Sequence, residues 1–268
     1  MTSYRDYKFF DKCTQNLSQD VYPQPPDPGH TDWALNSLKW IDSTIYAAKP
    51  PIRDEETNKI IKTFKKPEIS GRVLDVGCGW GFLSVPFETM GLNWTGVTIG
   101  EDVIGARGNL QEYGLPPEKV IETDMTFLPW DEPLFDLIYA RHVLEHSPFP
   151  IITLMEWHRV TKEGGYLCLV APAPHYWKYK GKNHYSIVPK PLLKWWLERA
   201  GWLIVHEFDF MNRDPLFLKH LEVYQSAVGH IRGGEDHQLA VGQGVLESYP
   251  EGPVEFRFIC RRAKEVLE

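Results

Sequence analysis

Three groups of residues in this 268-residue chain have types and spacing that chemistry can use. The first is Gly77, Gly79 and Gly81, alternating with Cys78 and Trp80 and preceded by Asp75. Glycines let a backbone take positive φ and pass close to a ligand, and a helix opening just beyond them offers unpaired N–H groups and a positive dipole end. Such a turn suits a nucleotide-sized ligand, although a tight turn with no ligand reads the same way. The second group is His142, Glu145 and His146 in ARHVLEHSP, which has the H-x-x-E-H order of one class of zinc peptidase. That chemistry needs a continuous helix to stack the two histidines. Here the run follows a strand pattern and enters Ser147-Pro148, so no metal site is expected. The third is HYWKYKGKNHYS, His175 to Ser186, in which aromatics alternate with Lys178, Lys180 and Lys182. It can hold an aromatic or anionic small molecule or a single nucleic-acid strand, or it can be a solvated loop anchored by Trp177 and Tyr179. His142 and His184 are the candidate proton acceptors.

The elements around these groups alternate. Strand patterns fall at Gly71 to Val76, Asn93 to Ile99, Lys119 to Glu122, Phe135 to Ala140, Gly165 to Ala171, Trp202 to Phe208 and Val254 to Cys260. Helix patterns fall at Phe82 to Met90, Asp102 to Tyr113, Pro150 to Val160 and from Pro189 to Ala200, with Gly114 and Gly201 as stop signals. This is the α/β class, a doubly wound, mostly parallel seven-stranded sheet with helices on both faces. Residues 1–70 form a proline-rich arm and two cap helices, Asp32 to Ala48 and Asp54 to Phe64; residues 71–268 form the main domain. An insertion at about 212–252 separates the last two strands and carries a helix from Asp214 to Val228. With the Asp32 helix it is expected to form a lid.

Composition narrows the partners. Acidic residues outnumber basic ones by 36 to 29, which argues against duplex nucleic acid. Cys13, Cys78, Cys168 and Cys260 are far apart with no C-x-x-C pair, so neither a disulfide framework nor a zinc knuckle is expected. No run approaches the ~18 apolar residues of a membrane span, and MTSYRDYKFFDK is charged throughout, so the expectation is a cytosolic protein. Oligomeric state leaves no trace in the sequence.

In an open α/β sheet, ligands bind beyond the carboxyl ends of the strands. There, LDVGCGWG resembles the first motif of the class I S-adenosylmethionine-dependent methyltransferases, and HVLEH resembles the run after the fourth strand in their small-molecule members. The resemblance implies S-adenosyl-L-methionine as cofactor, methyl transfer to N, O or C of a small molecule, and an antiparallel last strand. It implies that Asp75 orients the amino end of the methionine portion, with Gly77, Cys78, Gly79 and Gly81 forming the turn around it. Thr98, Ile99 and Glu101 then lie by the ribose, and Ala140, Arg141 and His142 near the methyl. Asp124 accepts from the adenine amino group while the Met125 N–H meets a ring nitrogen, a pairing that selects the base without a metal. Thr98 departs from the family's usual acid. GVTIG is similar to the cyclopropane synthase branch, so lipid-carbon methylation is an alternative, as is a non-catalytic module on the same fold.

Overall fold

The computed structural model describes residues 71–89, 91–174, 183–213 and 251–262. The arm, both cap helices, most of the aromatic and lysine cluster and the insertion helix lie outside the described residues. Strand β1 (Gly71–Val76) leads through the glycine turn into helix α1 (Ser84–Thr89), then β2 (Leu92–Thr98), α2 (Glu101–Glu112) and β3 (Val120–Glu122). Strand β4 (Phe135–Arg141) is joined by α3 (Pro150–Val160) to β5 (Thr161–Pro172), and α4 (Lys190–Arg199) leads to β6 (Trp202–Met211) and β7 (Pro253–Arg262).

The sheet order is β3-β2-β1-β4-β5-β7-β6. Strands β1 to β5 pair in parallel, and β7 runs antiparallel between β5 and β6. Strand order reverses between β1 and β4, which makes their carboxyl ends the switch point where open sheets take ligands. Alternation along the strands builds two cores. Val73, Trp94, Leu137, Tyr139 and Cys168 meet Phe87 of α1 and Val103, Ala106 and Leu110 of α2. On the other face Leu74, Val76, Ile138, Leu167 and Leu169 meet Leu154 and Trp157 of α3 and Leu193 and Leu197 of α4. Helices therefore cover both faces.

Three strands run well beyond the sequence pattern: β5 opens early at Thr161, β6 extends to Met211, and β7 spans Pro253–Arg262. Strand β6 continues to Met211 and pairs with the whole of β7, with Met211 opposite Pro253. The ladder continues where Asn212 N–H donates to Gly252 O at 3.0 Å and Asn212 Oδ1 accepts from Gly252 N–H at 3.3 Å. Arg213 and Glu251 form an ion pair at 3.3 Å just beyond. The insertion thus leaves and re-enters at one point on the carboxyl edge. Of the expected lid only these anchoring residues are described.

Candidate active site

Asp75 sits at the carboxyl end of β1, only 3% exposed, its Oδ2 accepting from the Trp94 indole N–H at 3.1 Å. Burial pushes its carboxyl up to about 7, partly opposed by that hydrogen bond. The three glycines after it have different work. The N–H groups of Gly77 and Cys78 both donate to Val97 O, at 2.9 and 3.0 Å, tying the turn to β2. A Cβ on Gly77 would strike Val143 at 2.4 Å, and one on Gly81 would come within 2.9 Å of Leu110, so these two positions are fixed by packing. Gly79 differs: at φ +50 its missing Cβ points into open space, with no described atom within 4 Å. It is the glycine at which a ligand can lie on the backbone. The Cys78 thiol is pushed well up by burial, with Asp75 and Asp102 adding to the effect, so it stays protonated.

Helix α2 holds the turn from below. Trp80 packs over Gly105 and donates its indole N–H to Asp102 at 3.0 Å, while Asn109 donates to the Trp80 carbonyl at 3.0 Å. Nothing in the sequence singled out Asp102 over its neighbour Glu101; the aromatic between two glycines was the available signal. Glu101 lies exposed in the first helical turn, Ile99 is half-buried, and Thr98 is buried with its carbonyl accepting from Thr123 N–H at 3.2 Å. At the end of β3 the Asp124 Oδ1 accepts from Thr126 N–H at 2.6 Å, an Asx turn that fixes the loop, and the Met125 carbonyl accepts from the Trp157 indole at 3.0 Å. Both side chains are half-buried at the same edge as the glycine turn.

Ala140 is fully buried in β4, and beyond it the chain turns sharply at His142, whose φ of 49 is the sole positive value among described non-glycine residues. This conformation costs roughly 1 kcal/mol, and here it aims the imidazole at β7. His142 Nε2 is 2.8 Å from Glu255 Oε1, and Nδ1 is 3.6 Å from Glu145 Oε1. Glu255 is 1% exposed and accepts from Arg257 at 2.7 and 3.0 Å and from Arg141 at 3.3 Å. Burial alone would raise its carboxyl, but Arg141, the His142 hydrogen bond and Arg257 outweigh it and hold the group well below the usual carboxylate range. Glu255 and Arg257 were missed in the sequence because VEFRFIC looks like an ordinary alternating strand. Arg141 therefore serves this network.

His142, Glu145 and His146 do not share a helix; Leu144–His146 is a single 3-10 turn. The Glu145 carbonyl ties the turn to the 183–190 segment. His184 is brought beside it, its ring centroid 4.9 Å from that of His146. Burial, with His146 and His142 nearby, lowers the His184 imidazole to about 4. So weak a base is poorly matched to proton abstraction near neutrality.

A doubly wound sheet with a positive-φ glycine open on its Cβ side at the switch point, an acid near the carboxyl end of β1 and another just after β3 is the arrangement in which open α/β proteins take nucleotide-like ligands. The family model described as "Methyltransferase domain" matches residues 74–169. A ubiquinone biosynthesis O-methyltransferase of Pseudomonas aeruginosa is 30% identical over 44% of this chain, which spans 52%, about half, of that relative's length. The enzyme of the same description from Rhodopseudomonas palustris is 30% identical over 80% of this chain and 85% of its own. The fold is shared with geranyl diphosphate C-methyltransferase from Streptomyces coelicolor A3(2), solved with Mg2+, geranyl-S-thiolodiphosphate and S-adenosyl-L-homocysteine (TM-score 0.56, 14% identity, 72% of this chain and 70% of that one). The chain belongs to the class I S-adenosylmethionine-dependent methyltransferase family. Among the described residues no helix is long and apolar enough to cross a membrane.

Proposed function

We propose that this protein transfers a methyl group from S-adenosyl-L-methionine to a small-molecule acceptor at the carboxyl edge between β1 and β4. The observation that carries the reading is Gly79, held at positive φ at the switch point with open space where its side chain would be. The residues fit the cofactor: the turn at Gly79 receives its backbone-contacting portion, Asp75 offers a carboxylate for the amino end, and Asp124 with Met125 meets the adenine. S-adenosyl-L-methionine supplies an activated methyl on a sulfonium. The chain's own part is alignment, exclusion of water and acceptance of a proton when the acceptor arrives protonated. His142 is the residue assigned that last role in this reading. With Nε2–H directed to Glu255, its Nδ1 keeps a lone pair, and Arg141 and Arg257 fix the carboxylate that orients it.

The acceptor atom is an oxygen in this reading, by analogy with the relatives that align over most of the chain. Calorimetric titration with S-adenosylmethionine, S-adenosylhomocysteine and NAD tests the cofactor. Binding of the first two and not the third is expected, and a folded protein that binds none is a non-catalytic module. Incubation with methyl-labelled cofactor and fractionated cell extract then identifies the acceptor; label in a lipid fraction would replace the small-molecule reading.

A further inference from the structure

The turn after β4 and the segment carrying His184 are clamped by backbone bonds. The N–H groups of Tyr185 and Ser186 both donate to Glu145 O, at 2.7 and 3.0 Å, and the Ser186 hydroxyl donates to Ser147 O at 2.5 Å. The clamp gathers Glu145, His146 and His184, with one ligand-type atom from each within 4.8 Å of the others. Each is left in a form that suits a cation. Glu145 is 2% exposed and its Oε2 has no hydrogen-bond partner. His184 Nδ1 is likewise buried without one. His146 Nδ1 donates to Asn183 O at 3.1 Å, the outer-shell contact that fixes an imidazole tautomer and leaves Nε2 its lone pair. Unpartnered buried acceptors of this kind cost free energy unless positive charge reaches them. Glu145 Oε1 lies 3.6 Å from His142 Nδ1, a contact that is an ion pair only when that imidazole is protonated.

We propose that Glu145, His146 and His184 bind one divalent transition-metal ion through two imidazole nitrogens and one carboxylate oxygen. Three protein ligands leave at least one position for water or an acceptor oxygen. Ligands about 2.1 Å from a tetrahedral ion stand about 3.4 Å apart, so binding draws atoms that now lie within 4.8 Å of one another together by at most about 1.4 Å. The H-x-x-E-H pattern therefore contributes two ligands, and the third comes from His184 rather than from His142. This revises the expectation of no metal. Resting on the methyltransferase reading, one consequence deepens it: an acceptor hydroxyl bound to the ion loses its proton to His142 and presents an oxyanion to the methyl carbon. The new O–C bond forms as the S–C bond breaks.

The test uses the full chain stripped with a chelator. Zinc(II) is titrated by calorimetry and cobalt(II) by its visible ligand-field bands, with S-adenosylhomocysteine titrated in parallel. One equivalent of each metal is expected, and His184→Ala and Glu145→Gln should each weaken binding by about tenfold or more. His184→Ala should retain its melting temperature and its S-adenosylhomocysteine affinity, which keeps the result readable if Glu145→Gln fails to fold. Absence of zinc and cobalt binding in protein that binds S-adenosylhomocysteine overturns the site, as does binding that neither substitution alters. Metal binding that depends on His184 in protein that ignores S-adenosylhomocysteine supports the site and removes the methyltransferase reading instead.

Discussion

Replacing Asp75 with asparagine should make the ligand-free protein more stable at pH 8 and a poorer binder of its cofactor. The amide keeps an oxygen for the Trp94 indole, which Asp75 Oδ2 accepts at 3.1 Å, and removes the only titrating group at that position. The folded carboxyl is raised to about 7 from an ordinary 3.8, chiefly by burial. A raised pKa means that the folded state holds the proton more tightly. The associated stability is fully present below about pH 4 and is lost as pH rises through 7. A rise of that size, at about 1.36 kcal/mol for each tenfold change in proton affinity, amounts to about 4 kcal/mol between pH 4 and pH 8. Urea unfolding of both proteins across that range, followed by tryptophan fluorescence, isolates the effect, because the other carboxylates titrate alike in both and cancel. The stability difference should move toward the asparagine variant by a few kcal/mol as pH rises. A difference that is flat with pH, or that moves the other way, would refute a buried, reluctant carboxyl. A companion titration at pH 8 should show weaker S-adenosylmethionine binding, since an amide cannot answer the cofactor's ammonium.

Gly79→Val should abolish S-adenosylmethionine binding with a moderate loss in melting temperature, because the new side chain meets no packed core and the cost to the fold is the strain of a β-branched residue at φ +50; unfolding of the variant would make the glycine structural. Asp124→Ala should weaken S-adenosylmethionine and S-adenosylhomocysteine alike by about 1.5–3 kcal/mol in calorimetry, and unchanged affinity in a folded variant would remove the adenine assignment. Glu255→Gln should lower stability at pH 7 by about 3 kcal/mol or more, since it leaves two buried or half-buried guanidinium groups without their anion. As the folded carboxyl is depressed, that gap should narrow as pH falls below about 4, which acid-range chemical denaturation would show.

The sheet was legible because its strands and helices announce themselves by period and its glycines mark the breaks. Gly114 and Gly201, read as helix stops, take φ 72 and 89. The glycine turn was legible as a motif, but not the division of labour inside it: that Gly77 answers to Val143 and Gly81 to Leu110 depends on contacts with β2, α2 and the turn after β4. The HVLEH run forms a single 3-10 turn and not a continuous helix. Its partner His184 could not be found from spacing, because two backbone bonds to the Glu145 carbonyl bring it there. Glu255 and Arg257 escaped notice for a related reason. Charges at alternate positions of a strand suggest a wet face, and only the antiparallel insertion of β7 between β5 and β6 makes them interior.

That same pairing of β6 with β7 has an evolutionary reading. The chain departs at Arg213 and returns at Glu251 through a single fastened doorway, so the two ends of the intervening sequence are held together by the edge of the sheet itself. Its length and sequence can drift with little penalty to the scaffold, since closing a longer loop adds only fractions of a kcal/mol. The doorway opens on the carboxyl edge of the sheet, the edge on which the proposed methyl-transfer site lies. Exchanging residues 214–250 between relatives at this doorway is thus a route to new acceptors on an unchanged methyl-transfer frame.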